Sequence, residues 1–227
     1  MQFLAFDTST EFLSIALQAN GKTYSHFQNA GQAASQLILP QIQVLLESAK
    51  VKLNELDGIA FGAGPGAFTG VRVACGVAQG LGFGANVPVA GVNTLHALAQ
   101  ASGASKVIVC TDARMGEVYF AALEKQDESW NEISPTQVCK PEAAPMLVAG
   151  KYIGAGSGWK AYDEALSARF SVIEKLPEIT PTAEAILQLA MPIFAAKQAQ
   201  PASEARPIYI RNRVALTSQK RAEGLRL

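Results

Sequence analysis

Charge is scarce in this sequence. Asp, Glu, Lys and Arg make up 17% of its 227 residues, against the ~25% usual for soluble domains. The 19 basic and 19 acidic side chains cancel, which excludes both a globally basic nucleic-acid binder and an acidic disordered chain. Cysteine is equally sparse. Cys75, Cys110 and Cys139 are far apart and form no C-x-x-C pair, so neither a disulfide framework nor a zinc knuckle is expected. The two histidines, His26 and His96, belong to no H-x-x-x-H or H-x-x-E-H spacing, and no G-x-S-x-G elbow accompanies them. Zinc-hydrolase and serine-hydrolase patterns are therefore missing. The opening MQFLAFDTSTEF has no basic region and meets Asp7 early. That is unlike a signal peptide and points to a cytoplasmic protein. Residues 73–105 carry no Asp, Glu, Lys or Arg, but glycines, Pro88, Gln79 and Asn86 interrupt them. No membrane span is expected there.

The shortage of charge is concentrated. Between 58 and 91, Arg72 is the single charged residue, and these 34 residues hold 10 of the 19 glycines. Such a stretch is either buried or covered by something else. Around it, residues 3–6, 12–18 and 22–27 read as a three-strand meander, with Asn20-Gly21 a two-residue hairpin signal. Residues 34–50 switch to helical period, with Ser35 a candidate N-cap. Their apolar positions cover more than half of the helix surface, wider than one core face requires. Residues 56–62 form a short buried strand, and a second helix follows over 68–84. There Arg72, Gly76, Gly80 and Gly84 recur every fourth residue on one face. Each interior glycine costs about 1 kcal/mol relative to alanine, so close approach of another backbone along that groove is the expected compensation. Further strands are expected at 87–92, 106–111 and 117–123, and helices at 94–101 and 181–199, the last interrupted by Pro192. Residues 152–159 read as a glycine-rich strand and turn. Two strands end in aspartate, at Asp7 and Asp112, which predicts two similar α/β lobes, 1–104 and 105–227.

Three constellations could carry chemistry. The GAGPGA run at 62–67 satisfies the dinucleotide-binding glycine pattern between strand and helix. No acidic residue lies between Asp57 and Asp112 to hold a ribose. What survives is either an anion site at a helix N-terminus or a tight turn before a close-packed helix. Asp7-Thr8-Ser9 either places a hydrated magnesium ion and a phosphate or supplies strand-end turn chemistry. Asp7, Thr8, Gly64 and Gly66 are thus the candidate nucleotide or phosphate contacts. Asp112, Arg114 and Glu117 either fix a turn or face a substrate. The tail 211–227 is basic, with five Lys and Arg against Glu223, and reads as a solvated tail or a weak RNA contact.

MQFLAFDTSTEFLSIAL, FGAGPGAFTGVRVACGVAQGLGFGANVPVAGVNTL, DARMGEVYFA, GAGSGW and PIYIRN resemble the TsaB (YeaZ) family of tRNA threonylcarbamoyladenosine biosynthesis proteins. The likeness runs from Met1 to about Arg213. It implies the two-lobed actin/hexokinase/Hsp70-like (ASKHA, ribonuclease H-like) α/β fold and a paralogue of TsaD, the threonylcarbamoyl transferase. TsaD holds its metal with the histidines of a V-N-H-L-E-G-H segment. Here Val92-Asn93-Thr94-Leu95-His96-Ala97-Leu98 puts Thr94 and Leu98 at the ligand places and His96 at the glutamate's. The resemblance thus implies a non-catalytic partner with no metal and no required cofactor, ADP or ATP lying at the subunit contacts. It implies a TsaD-like partner, a TsaE-like ATPase, a homodimer when alone, and indirect or weak contact with tRNA. The docking surface is expected on the two helices of the first lobe, at Leu37, Ile38, Gln41, Ile42, Leu45, Arg72, Gly76 and Gly80. Many relatives open the first helix with His-Ser or His-Thr, where this chain has Ala34-Ser35. The competing readings are an ATPase or kinase of the same fold, from Asp7-Thr8-Ser9 and the glycine loops, and a metallo-hydrolase, as in the old glycoprotease label of the superfamily.

Overall fold

The structure is a computed structural model and describes residues 1–127 and 129–211. Its first sheet forms from β1 (Phe3–Asp7), β2 (Phe12–Ala19), β3 (Lys22–Asn29), β4 (Gly58–Gly64) and β5 (Val89–Asn93), in the order β3-β2-β1-β4-β5. The Asn20-Gly21 turn, both residues at positive φ, closes the β2–β3 hairpin as its sequence demands. β1 runs antiparallel to β2 and parallel to β4. Because β4 and β5 are parallel, a helical crossover must join them. That crossover is α2 (Phe68–Ala85), and α1 (Ala34–Ala49) lies beside it on the same sheet face.

The second sheet repeats the plan. It comprises β6 (Lys106–Asp112), β7 (Val118–Gln126), β8 (Ser129–Cys139), β9 (Tyr152–Ala155) and β10 (Val172–Leu176), ordered β10-β9-β6-β7-β8. Its outer face packs on α4 (Gly158–Ala161) and α5 (Asp163–Arg169) through Trp159 and Leu166. Between the sheets lie α3 (Thr94–Ala101) and α6 (Ala183–Ala195). Leu95 and Leu98 of α3 bury against Val107, Val109, Ala121 and Leu123. Ala183, Ile186, Leu187 and Ala190 of α6 bury against Phe3, Ala5, Ala16 and Ala60.

Three expectations change here. The second lobe does not contain all of 105–227, because α6 returns to the first sheet. That sheet has apolar residues on both faces, and α1 and α2 cover only one of them. Pro192 lies inside α6 without ending it. The start of α1 also differs. Ser35 is not the cap: Ala33 occupies that place with no side-chain hydrogen bond, after a 3-10 turn at Gly31–Ala33.

Candidate functional site

The Asp7 end of β1 is built from buried strands and a loop, and the structure brings Asp7, Thr8, Gly64 and Gly66 together there as expected from sequence. It does not leave them open. Asp7, Thr8 and Ser9 are all buried. The Thr8 hydroxyl donates to the Gly70 carbonyl at 2.7 Å. Ser9 donates its amide (3.0 Å) and its hydroxyl (2.8 Å) to Asp7 Oδ1. A Cβ on Gly66 would lie 2.6 Å from the Ser9 carbonyl, and one on Gly70 would collide with the Thr8 carbonyl. The glycines therefore serve close backbone packing, the need for which glycine is the usual answer. The first turn of α2 sits directly on Thr8 and Ser9, where a phosphate would have to enter. These residues do not fit a nucleotide in this conformation, which corrects the assignment of Asp7, Thr8, Gly64 and Gly66 as phosphate contacts.

One atom in this packing is left without a partner. Asp7 Oδ2 is buried and accepts no hydrogen bond, and it presses on Gly62. Burial pushes the Asp7 carboxyl up to about 6, with the two Ser9 hydrogen bonds acting in the opposite direction.

The segment aligned with the TsaD metal ligands is likewise filled by its own contacts. Thr94 is buried and its hydroxyl donates to the Pro65 carbonyl. Leu98 is in the core between the sheets. His96 Nε2 lies 2.9 Å from Glu132 Oε1, bridging α3 to β8. Among the described residues, no group of three His, Cys, Asp or Glu could hold a metal ion. The Asp112 cluster resolves toward the turn. Asp112 accepts from the Arg114 amide at 2.8 Å and from its guanidinium at 3.0 Å, and Tyr162 donates its hydroxyl to the same carboxylate at 3.1 Å. These bonds hold Arg114, Met115 and Gly116, all at positive φ.

Among the described residues, nothing covers the outer face of the first-lobe helices α1 and α2. Ile38, Ile42 and Leu45, expected at the docking surface, are buried in the core with Ala34 and Ala49. Their four- and three-residue spacing makes the stripe that meets the sheet. Leu37 and Gln41 are half-buried, and Leu37 packs against the same core. The surplus apolar residues of α1 are the ones turned outward: Leu39 and Val44 are each half exposed, and Pro40 is exposed beside them. On α2, Arg72, Gly76 and Gly80 are exposed as expected. A Cβ on Gly76, Gly80 or Gly84 would meet nothing within 4 Å, so no backbone among the described residues fills the groove. Phe83 is 82% exposed and Phe68 46% exposed.

The chain's return forms one border of this face. Ala205 accepts from Gln79 Nε2 at 2.9 Å. Ile208 donates its amide to the Ala63 carbonyl at 2.7 Å. Tyr209 accepts from Arg72 Nε at 2.7 Å. Arg211 then reaches Glu117 of the second lobe at 2.5 Å, so one short segment ties α2 to the β6–β7 turn. The rest of the basic tail lies outside the described residues. Leu39, Val44, Phe83 and Tyr209 were not singled out from sequence. The excess of apolar positions in α1 signalled that some would face outward, but nothing local placed Tyr209 beside Arg72. No helix among the described residues is long and apolar enough to cross a membrane.

Comparison with known proteins places this architecture. The family model described as TsaD, tRNA N6-adenosine threonylcarbamoyltransferase, matches residues 28–212. The chain is 36% identical over 223 residues to the tRNA threonylcarbamoyladenosine biosynthesis protein TsaB of Escherichia coli strain K12, spanning 95% of this chain and 96% of that one. It is 38% identical to the TsaB of Haemophilus influenzae, over 94% of this chain and 95% of the relative. The solved structure of YeaZ from Pseudomonas aeruginosa superposes with a TM-score of 0.86 at 39% identity, over 92% of this chain and 99% of the other. The paired five-stranded sheets and the likeness across nearly the full length agree, and the chain belongs to the TsaB (YeaZ) family.

Proposed function

We propose that this chain is a non-catalytic subunit in the formation of threonylcarbamoyladenosine on tRNA, next to the anticodon, and that it binds and stabilises a TsaD-like transferase through the α1–α2 face. The observation that carries this reading is the outward glycine stripe, above which no described residue lies, on a helix that also exposes Phe68 and Phe83, next to α1 with its exposed Leu39 and Val44. Glycine in a helix interior is unfavourable in isolation, and exposed apolar groups clustered on one face mark an interaction site. Small residues in a row let a second helix approach closely. The names of the full-length relatives support the pathway. The match to the TsaD family model supports a paralogue as partner, since two related faces of this kind are complementary.

The closed Asp7 loop and the filled Thr94 and Leu98 positions favour a subunit without its own chemistry over an ATPase, a kinase or a metallo-hydrolase. A TsaE-like ATPase joins the assembly, ADP or ATP lies at the subunit contacts, and contact with tRNA is indirect or weak. Without TsaD the same face pairs two copies of the chain. The assembly works in the cytoplasm.

Mixing the purified chain with the TsaD-like protein of the same genome, and measuring mass by light scattering during gel filtration, tests this. A one-to-one heterodimer is expected, with no turnover of magnesium ATP by the isolated chain. Separate elution of the two proteins at about 50 μM, a concentration at which even a complex of micromolar Kd would be mostly formed, overturns the reading.

A further inference from the structure

The docking face holds one fixed cation. Arg72 stands one helical turn before Gly76 on the same stripe and is the single charged residue between positions 58 and 91. Its guanidinium carbon lies 3.4 Å from the centroid of the Phe68 ring and 5.5 Å from that of Tyr209, and its Nε donates to the Tyr209 hydroxyl at 2.7 Å. Nη1 and Nη2 make no hydrogen bond or ion pair among the described residues, and Arg72 is exposed. A free arginine side chain loses ~2 kcal/mol of rotamer entropy when it is immobilised. Here the stacking on Phe68 and the tether to Tyr209 have already imposed most of that order.

Whatever covers this face must answer that charge. A guanidinium taken out of water without a counter-ion costs several kcal/mol, and neighbouring glycines and phenylalanines supply no anion. A second copy of the face offers one acid from α1 and α2, Glu47, which already accepts from Gln43 at 2.8 Å. Self-pairing therefore answers Arg72 poorly. We propose that Arg72 is the specificity-determining residue of the docking face, and that its fork takes an Asp or Glu carboxylate from the helix pair of the TsaD-like partner. Tyr209 is a positioning residue that fixes Nε so that the two Nη groups face the partner. The inference rests on the docking role proposed above and adds the chemistry that the partner must present. An Arg–carboxylate fork is directional as well as strong, so it sets the register of two helix pairs whose other contacts are featureless.

Calorimetric titration of the full chain with the TsaD-like protein, at about 50 and about 300 mM NaCl, reads the charge directly, because added salt weakens partly exposed ion pairs. Arg72→Ala is expected to weaken binding about tenfold or more and to flatten its salt dependence, and Arg72→Glu to weaken it about a hundredfold. Arg72→Lys should recover only a minor part, since an ammonium neither forks nor stacks as a guanidinium does. Tyr209→Phe, which keeps the ring and removes the acceptor, should cost about threefold. All four variants should melt within about 2 °C of the parent, because exposed substitutions change stability little. Affinities of Arg72→Ala and Arg72→Glu within about twofold of the parent, with an unchanged salt slope, overturn the proposal. Gly80→Lys separates the two levels. If it abolishes binding while the Arg72 variants do not, the face stands and its charge specificity falls. If Gly80→Lys and the Arg72 variants all bind normally, both fall.

Discussion

Asp7→Asn should make the protein more stable at pH 7.5, by up to about 2 kcal/mol, with the advantage shrinking as the pH is lowered toward 5. The carboxyl is pushed from 3.8 to about 6 by burial, so its ionised form is disfavoured in the folded state. Between those two values the folded chain holds a proton that the unfolded chain has released. Stability from this group is complete below the unfolded value and declines as pH rises through the folded one. A difference of about two units corresponds to ~3 kcal/mol at most. Asn keeps the acceptor for Ser9 at the Oδ1 position and removes the charge. Its amide group would then stand where Oδ2 finds no partner, and an unsatisfied buried donor returns about 1–3 kcal/mol of that gain. Urea unfolding at pH 5 and pH 7.5 checks the prediction. A gap between variant and parent that stays constant across that range would show that Asp7 is not titrating in the folded chain.

Periodicity found α3 at 94–101 without error and β1, α1 and α2 to within a residue or two, because each has a strong local pattern and little competition from turn chemistry. It missed β8, whose SWNEISPTQVC carries Pro135 and a half-exposed alternation of the kind that edge strands tolerate. It also missed β10, whose middle residues Ile173, Glu174 and Lys175 are exposed. The Asp7-Thr8-Ser9 motif was visible, yet its accessibility was not. That depends on Gly70, 62 residues along the chain, coming down on Thr8. Helix amphipathicity showed that α1 had apolar residues to spare but could not say which. The sheet decided, taking Ile38, Ile42 and Leu45 inward and leaving Leu39 and Val44 outside. A lysine at Ile38 would accordingly unfold the lobe instead of probing docking. The return of α6 to the first sheet, and of Tyr209 to Arg72, are contacts over such separations that no local pattern carries them.

The glycine stripe yields a test in which stability and binding should move in opposite directions. Gly76→Ala with Gly80→Ala is expected to raise the unfolding free energy of the isolated chain by about 2 kcal/mol, since each methyl enters open space and each glycine in a helix interior costs about 1 kcal/mol. For a chain of this size that gain is a melting temperature higher by about 4–8 °C. Gly82→Ala is the internal control, because its Cβ would lie 2.7 Å from Val89 Cγ1 and 3.0 Å from Ala202 Cβ. It should destabilise, by about 1–3 kcal/mol of overpacking. The same double alanine variant should bind the TsaD-like protein about tenfold or more weakly, because methyl groups hold two helix backbones apart and loosen every contact around them. Gly80→Lys, which adds a charged chain at the centre of the stripe, should abolish binding at about micromolar concentrations while leaving the monomer folded. Melting curves and calorimetry on the same preparations give both quantities. If the double variant gained stability and kept full affinity, the partner would not approach α2 at backbone distance, and the glycines would need another explanation. If it lost affinity while gaining stability, the unfavourable propensity of α2 would be accounted for by the surface it must meet. The low charge of residues 58–91 would then have two physical causes on two faces of one segment: a core against β4 on the inner side, and on the outer side a groove shaped for a second helix.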